Sequence, residues 1–297
     1  MSAQISSTAA AMCLGGFVVS VVGLVRLRTE LAAGRGPDRI LALSHVCFAV
    51  PLAVFGALHL FGPQFVSDVV PLFMPWRMFC VYFVGAALLA ASLSIAARIE
   101  VGLSGFLFGV MMFLFVAMVH LPGAISHPEN RIVRTIVFRE MSFGGGGWIL
   151  AGLAIAGRAT SVAGLLVAVG RAFVTLAMTV FGIEHFLHPM VLPVVPLEKA
   201  MPIWVPAGMA VDYVTGAALL LAAGSVVLNR HARTALTGLA VWILTLVVVI
   251  YTPLLILALM EPAIGTQVEG VNYFADTLLF AGAVLALARA TQPSTGR

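Results

Sequence analysis

VFGIEHFLHPMVLPVVPLEKAMPIWVPAGMAVDYVTGAALLL, residues 180–221, has a looser copy earlier in the chain, VFGALHLFGPQFVSDVVPLFMPWRMFCVYFVGAALLA, residues 54–90. Phe55, Gly56, His59 and Pro63 precede Phe181, Gly182, His185 and Pro189 by a constant 126 residues. The second copy then has a longer loop, and the offset becomes 131. At that offset Gly85-Ala86-Ala87-Leu88-Leu89 matches Gly216-Ala217-Ala218-Leu219-Leu220, and Pro122 falls on Pro253. In both copies an apolar run ends at a proline, a Pro-rich loop follows, and a second apolar run begins. The chain therefore reads as a fused pair of similar units, and the rest of the sequence is placed around them.

Composition sets the class. With 61% hydrophobic residues, 9% charged and a mean hydropathy of +1.10, 297 residues carry too little polar surface to face water as a globule. The expectation is an all-α polytopic membrane protein whose main partner is the lipid bilayer. The formal charge of +4 does not point to nucleic acid, because the basic residues stand singly between apolar runs. Cys13, Cys47 and Cys80 form no C-x-x-C pair and read as small hydrophobes.

A helix rising 1.5 Å per residue needs about 20 apolar residues to cross about 30 Å of hydrocarbon. Nine runs of roughly that kind occur, at 8–27, 40–61, 77–97, 102–122, 140–157, 161–187, 206–228, 233–260 and 271–290. No basic residue precedes the first, while Arg26, Arg28, Arg35 and Arg39 follow it, which places the N-terminus outside and the C-terminus inside. On that topology ten basic residues lie inside and five outside, with Arg171 within a span. The expected organisation is an extra N-terminal helix with its basic loop (1–39), a first four-helix unit (40–158), a second (159–290) and a cytoplasmic tail (291–297). Even-numbered units keep one orientation, so the two copies are parallel repeats.

A four-span unit whose first helix ends in F-G-x-x-H-[FL]-x-x-P, followed by a Pro-rich loop (Pro71 and Pro75; Pro196 and Pro202) and by Y-[FV]-[VT]-G-A-A, resembles the DoxX family. The resemblance covers about residues 40–290. It implies four-helix membrane bundles of a bacterial inner membrane, with branches associated with thiosulfate:quinone oxidoreductase subunits, methylamine utilisation and other respiratory complexes. It supplies no catalytic residues. Many members carry an acidic residue three positions after the glycine matching Gly85 and Gly216; here Leu88 and Leu219 stand there.

An ionisable group in hydrocarbon costs roughly 3 kcal/mol or more, so each should face an interior, pair or snorkel. His59 and His185, each just before a helix-breaking proline, are the sharpest ligand-binding candidates, with the hydroxyls of Tyr82 and Tyr213 at the same outer level. A neutral imidazole there suits a quinone carbonyl, a proton relay or, less readily, haem. The plainer alternative has each His bonding the backbone groups freed near Pro63 and Pro189. Glu184, His185 and His188 form a weak metal alternative, since Leu58 and Gly62 replace two of them in the first copy.

Arg171 stands deep in its span where the first copy has His45. It reads either as an anion or charge-relay contact, with Asp212 as its partner, or as a snorkelling side chain. Val81 replaces Asp212 in the first copy. Glu140 and Asp276 read as first-turn carboxylates favoured by the helix dipole. Gly144–Gly147 allow close helix approach. The apolar outer loops, with Trp76 and Trp204, either lie in the interface or fold back over the bundle mouth.

The resemblance implies first a quinone-linked or respiratory accessory subunit with a lipophilic partner and membrane partner subunits; the alternatives are a small-solute transporter and a non-catalytic assembly or scaffold protein. No catalytic set can be named, and the residues lean away from an enzyme.

Overall fold

The computed structural model describes residues 4–291; most of the expected tail, with Arg297, lies outside them. Among the described residues the chain is helical, with no strand beyond one isolated antiparallel bridge between Val191 and Ala200. Nine long helices follow in order: α1 Ser7–Ala33, α2 Pro37–Phe61, α3 Arg77–Ala97, α4 Val101–Ser126, α5 Arg131–Ile155, α6 Thr160–Leu187, α7 Gly208–Val227, α8 Ala232–Leu259 and α9 Ile264–Ala290. All but α5 are long and apolar enough to cross a membrane.

The difference from nine expected spans lies in α5. Its first ten residues include Arg131, Arg134, Arg139 and Glu140, which leaves only a short apolar half, and four consecutive glycines dilute that half. Hydropathy is demanded only of surface that meets lipid, and Gly144–Gly147 are all buried. The helix also starts earlier than its apolar run: the Asn130 side chain accepts from the amides of Ile132 and Val133, a regular N-cap. Glu140 is therefore well inside the helix, buried and paired with Arg139 at 2.7 Å, and is not the first-turn carboxylate the sequence suggested. Asp276 is corrected likewise, because α9 begins at Ile264.

By packing, the chain forms two compact units, one made of the described residues up to Ser104 with Thr245–Gly282, the other of Gly105–Leu244 with the residues from Ala283. In the first, α2 packs on α1 and α3, and Met12, Val54, Ala57, Leu58, Val268, Val271 and Ala275 form a buried core. Single polar ties join its helices across long stretches of chain. Ser92 Oγ donates to the Ala49 carbonyl at 2.7 Å, and the buried Gln267 side chain accepts from the Ser6 amide at 2.8 Å while donating to the Glu261 carbonyl at 2.8 Å. In the second unit α5 lies along α6, and a Cβ placed on Gly145 would stand 2.9 Å from the Gly170 carbonyl, so the helices meet through bare backbone.

Backbone irregularities recur at the sequence offset of 131. Left-handed non-glycine residues come as Trp76 and Ala207 (φ 52° and 53°), Arg98 and Asn229 (61° and 51°), and Glu100 and His231 (51° and 54°). Single π-helical turns occupy Val116–His120 and Val247–Tyr251. Each ends just before a proline, Pro122 or Pro253, whose missing N–H and bulky ring oppose a regular i→i−4 ladder.

Candidate functional site

Helices α6 and α7 cross where both lack a side chain. A Cβ on Gly182 would meet Leu220 Cγ at 2.7 Å and the Gly216 carbonyl at 3.0 Å. On α6, one turn past Gly182, is His185; on the antiparallel α7, one turn before Gly216, is Asp212. The crossing thus brings the two together, with His185 Nδ1 at 2.9 Å from Asp212 Oδ1 and both side chains wholly buried. The approach is close but lacks hydrogen-bond geometry, so it acts as a contact of the carboxylate with the ring dipole more than as an aligned hydrogen bond.

The rest of the site is the 188–207 connection folding back onto this pair. The Val194 amide donates to His185 Nε2 at 3.1 Å, and the amides of Met190 and Val191 both donate to Asp212 Oδ2, the second at 3.2 Å. A ring that accepts at Nε2 is neutral and carries its proton on Nδ1, facing the carboxylate. The segment also closes on itself, Leu192 N–H to the Lys199 carbonyl and Met201 N–H to the Met190 carbonyl, both 2.8 Å. Leu192, Val194, Val195 and Met201 are buried. Arg131, at the start of α5, donates to the carbonyls of Pro196 and Leu197 at 2.7 and 3.1 Å and lies 3.7 Å from Glu184 Oε2. Glu184 in turn meets His188 Nδ1 at 2.9 Å.

The first unit has the same crossing without the polar pair. A Cβ on Gly56 would meet Leu89 Cγ at 2.8 Å and the Gly85 carbonyl at 3.0 Å, the residues matching Leu220 and Gly216. Val81 occupies the register of Asp212, and His59 Nδ1 turns to the Phe55 carbonyl of its own helix at 2.7 Å. The 62–76 connection stays largely exposed.

The remaining predicted residues lie apart from the buried pair. Tyr82 is exposed on α3; Tyr213 is exposed on α7 and stacks on Phe186, with ring centroids 5.6 Å apart and planes at 11°. Arg171 does not reach Asp212: its guanidinium donates to the Val226 carbonyl in the last turn of α7, where free carbonyls and the negative end of the helix dipole favour a cation. Glu184, His185 and His188 do not converge on one point, and no group of three His, Cys, Asp or Glu side chains among the described residues is placed to hold a metal. Arg131 was the residue sequence reading missed. Its signal was position, a cation at the start of a helix whose end must cap an apolar loop.

Compared with protein-family models, with curated proteins and with solved structures, the chain matches none.

Proposed function

We propose that this chain is a DoxX-like membrane protein working as a non-catalytic assembly or scaffold subunit, built from two tandem four-helix units (40–158 and 159–290) behind an extra N-terminal helix. The tandem reading is supported by the paired left-handed residues, the paired π turns and the matched glycine crossings, all at the offsets found in the sequence. In this reading α5 also crosses the membrane, shielded by its neighbours, so nine crossings leave the N-terminus periplasmic and the C-terminus in the cytoplasm of a bacterial cell.

The observation that carries the scaffold role is that both candidate imidazoles are engaged internally. His59 bonds its own helix, and His185 spends one nitrogen on Val194 and turns the other to Asp212, under a closed loop. An imidazole that binds a quinone or a haem needs an open nitrogen. Arg171, spent on a helix end, likewise gives no polar lining for a transport path. A second reading survives on one observation: the exposed Tyr213 stacked on Phe186 offers a flat aromatic surface to a lipophilic partner such as quinone.

Purification in mild detergent, with absorption spectra and analysis of extracted lipids, separates these readings. The scaffold reading expects neither quinone nor haem at a stoichiometric level. Quinone that co-purifies one to one and is lost on Tyr213→Ala would establish the second reading instead, and quinone or haem lost on His185→Gln would return the site to the imidazole.

A further inference from the structure

Loop 62–76 lacks the buried stretch Leu192–Leu197 of loop 188–207, though both present exposed apolar side chains before the next helix, Ile203 and Trp204 in the second. Its tip side chains point outward, with Leu72 88%, Phe73 72% and Trp76 81% exposed, and between Gly62 and Trp76 the single charge is Asp68. An exposed apolar loop of this size in water is a liability, and in the bilayer core its backbone would need partners.

The loop supplies some of those partners itself. Pro63, Pro71 and Pro75 have no N–H to satisfy. The amides of Phe65, Val66, Ser67, Val70 and Met74 are bonded to carbonyls within the loop, from 2.8 to 3.2 Å. Arg77 at the start of α3 folds back so that its guanidinium donates to the carbonyl of Ser67, which also takes the Val70 amide, and to that of Val70 at 3.1 Å. Trp76 takes a left-handed conformation that turns the chain directly into α3. The exposed surface then continues along α3 through Phe79 and Phe83, stacked at 6.1 Å on a helix long and apolar enough to cross a membrane.

We propose that residues 64–76 form a preshaped interfacial wedge that lies in the headgroup and upper acyl region of the bilayer, with Leu72, Phe73 and Trp76 inserted among the lipids. A backbone partly bonded within the loop, tip side chains without charge and continuity with a long apolar helix suit the headgroup boundary, where water and headgroups can meet the remaining amides, and a Trp is at home there because its ring is apolar and its N–H polar. The loop's counterpart packs residues 192–197 onto protein and leaves Ile203 and Trp204 exposed at the positions matching Leu72 and Phe73. The inference is independent of the scaffold reading, since a quinone-binding protein would carry the same wedge.

The test uses the full chain reconstituted into phosphatidylcholine vesicles with bromine at shallow or deep acyl positions. The difference between wild type and Trp76→Phe isolates the emission of Trp76, a substitution at an exposed site that leaves the fold intact. Shallow bromines are expected to remove most of that emission, deep bromines little, and aqueous iodide almost none. Quenching by iodide without quenching by bromine would place the loop in water, and access by neither would show it covered by protein, such as a second copy; either result overturns the proposal. A nitroxide attached at Leu72→Cys, with the signal of the unsubstituted protein subtracted, gives a second reading. It should collide with oxygen more than with a water-soluble nickel chelate, and the reverse preference would count against the wedge.

Discussion

His185 and Asp212 face each other at 2.9 Å with no exposed surface on either side chain, and between them they accept three amides of the loop that covers them. Twenty-seven positions separate them in sequence, and the glycine crossing of α6 and α7 joins them. The pair fastens the loop: it bonds three of its amide donors, one of them on the wholly buried Val194, where an unmet donor is costly.

Removing half of this pair should be severe. Asp212→Ala strips the acceptor from the Met190 and Val191 amides and leaves the imidazole facing a void, and each polar group left unmet out of water costs about 1–3 kcal/mol. Thermal unfolding in detergent measures it. A double-mutant cycle with His185→Ala should be strongly non-additive, since the second substitution removes a partner already lost. Additive losses would mean the two side chains act separately.

Lys199 is the only lysine of the chain, so a lysine-specific protease cuts it at one place, in the middle of the fastened loop. The folded protein should resist that cut. Arg131→Gln, which gives up the bonds to the Pro196 and Leu197 carbonyls, should open the loop and speed cleavage at least several-fold without unfolding the helices. A cut rate equal to that of wild type would show that Arg131 does not hold the loop.

Much of the architecture was legible because lipid imposes a simple code. Apolar runs of sufficient length found eight helices, and the duplicated stretch matched the glycines of the two crossings without indicating that the helices cross there. The code failed where a helix does not meet lipid. Helix α5 begins with an Asn130 cap and a row of arginines, so its apolar run starts nine residues late and Glu140 was misread as a helix start. Asp212 was assigned to Arg171 because a lone carboxylate in an apolar helix invites the strongest nearby cation. The geometry chose His185, which lies on the stripe shared with Gly182, while Arg171 found the end of α7. The pairing had one sequence signal, the common spacing of His185 and Asp212 from the two glycines of a crossing, and it is readable only once the helices are known to be antiparallel neighbours. The difference between the two loops was not readable from their shared Pro-rich composition, because it rests on Asp212 and Glu184 in one copy against Val81 and Leu58 in the other.

The matched crossings predict matched sensitivity. Gly56→Val and Gly182→Val both drive a side chain into a leucine and a carbonyl about 3 Å away, so each should destabilise the protein by about 1–3 kcal/mol, the usual cost of overpacking. Gly164→Ala, in the same helix as Gly182 but with open space around its Cα, should instead be neutral or stabilising by up to about 1 kcal/mol. Unfolding midpoints of the three variants check this, and a tolerant Gly56 beside a sensitive Gly182 would break the equivalence of the two units.

The central claim is that the His185 ring is spent inside the protein. Its most direct test is the nitrogen NMR spectrum of histidine-labelled protein, with the His185 signals assigned as those lost in His185→Gln. The account predicts a neutral ring protonated on Nδ1, unchanged when a short-chain quinone or zinc is added. A ring protonated on Nε2, or signals that shift with either ligand, would contradict it.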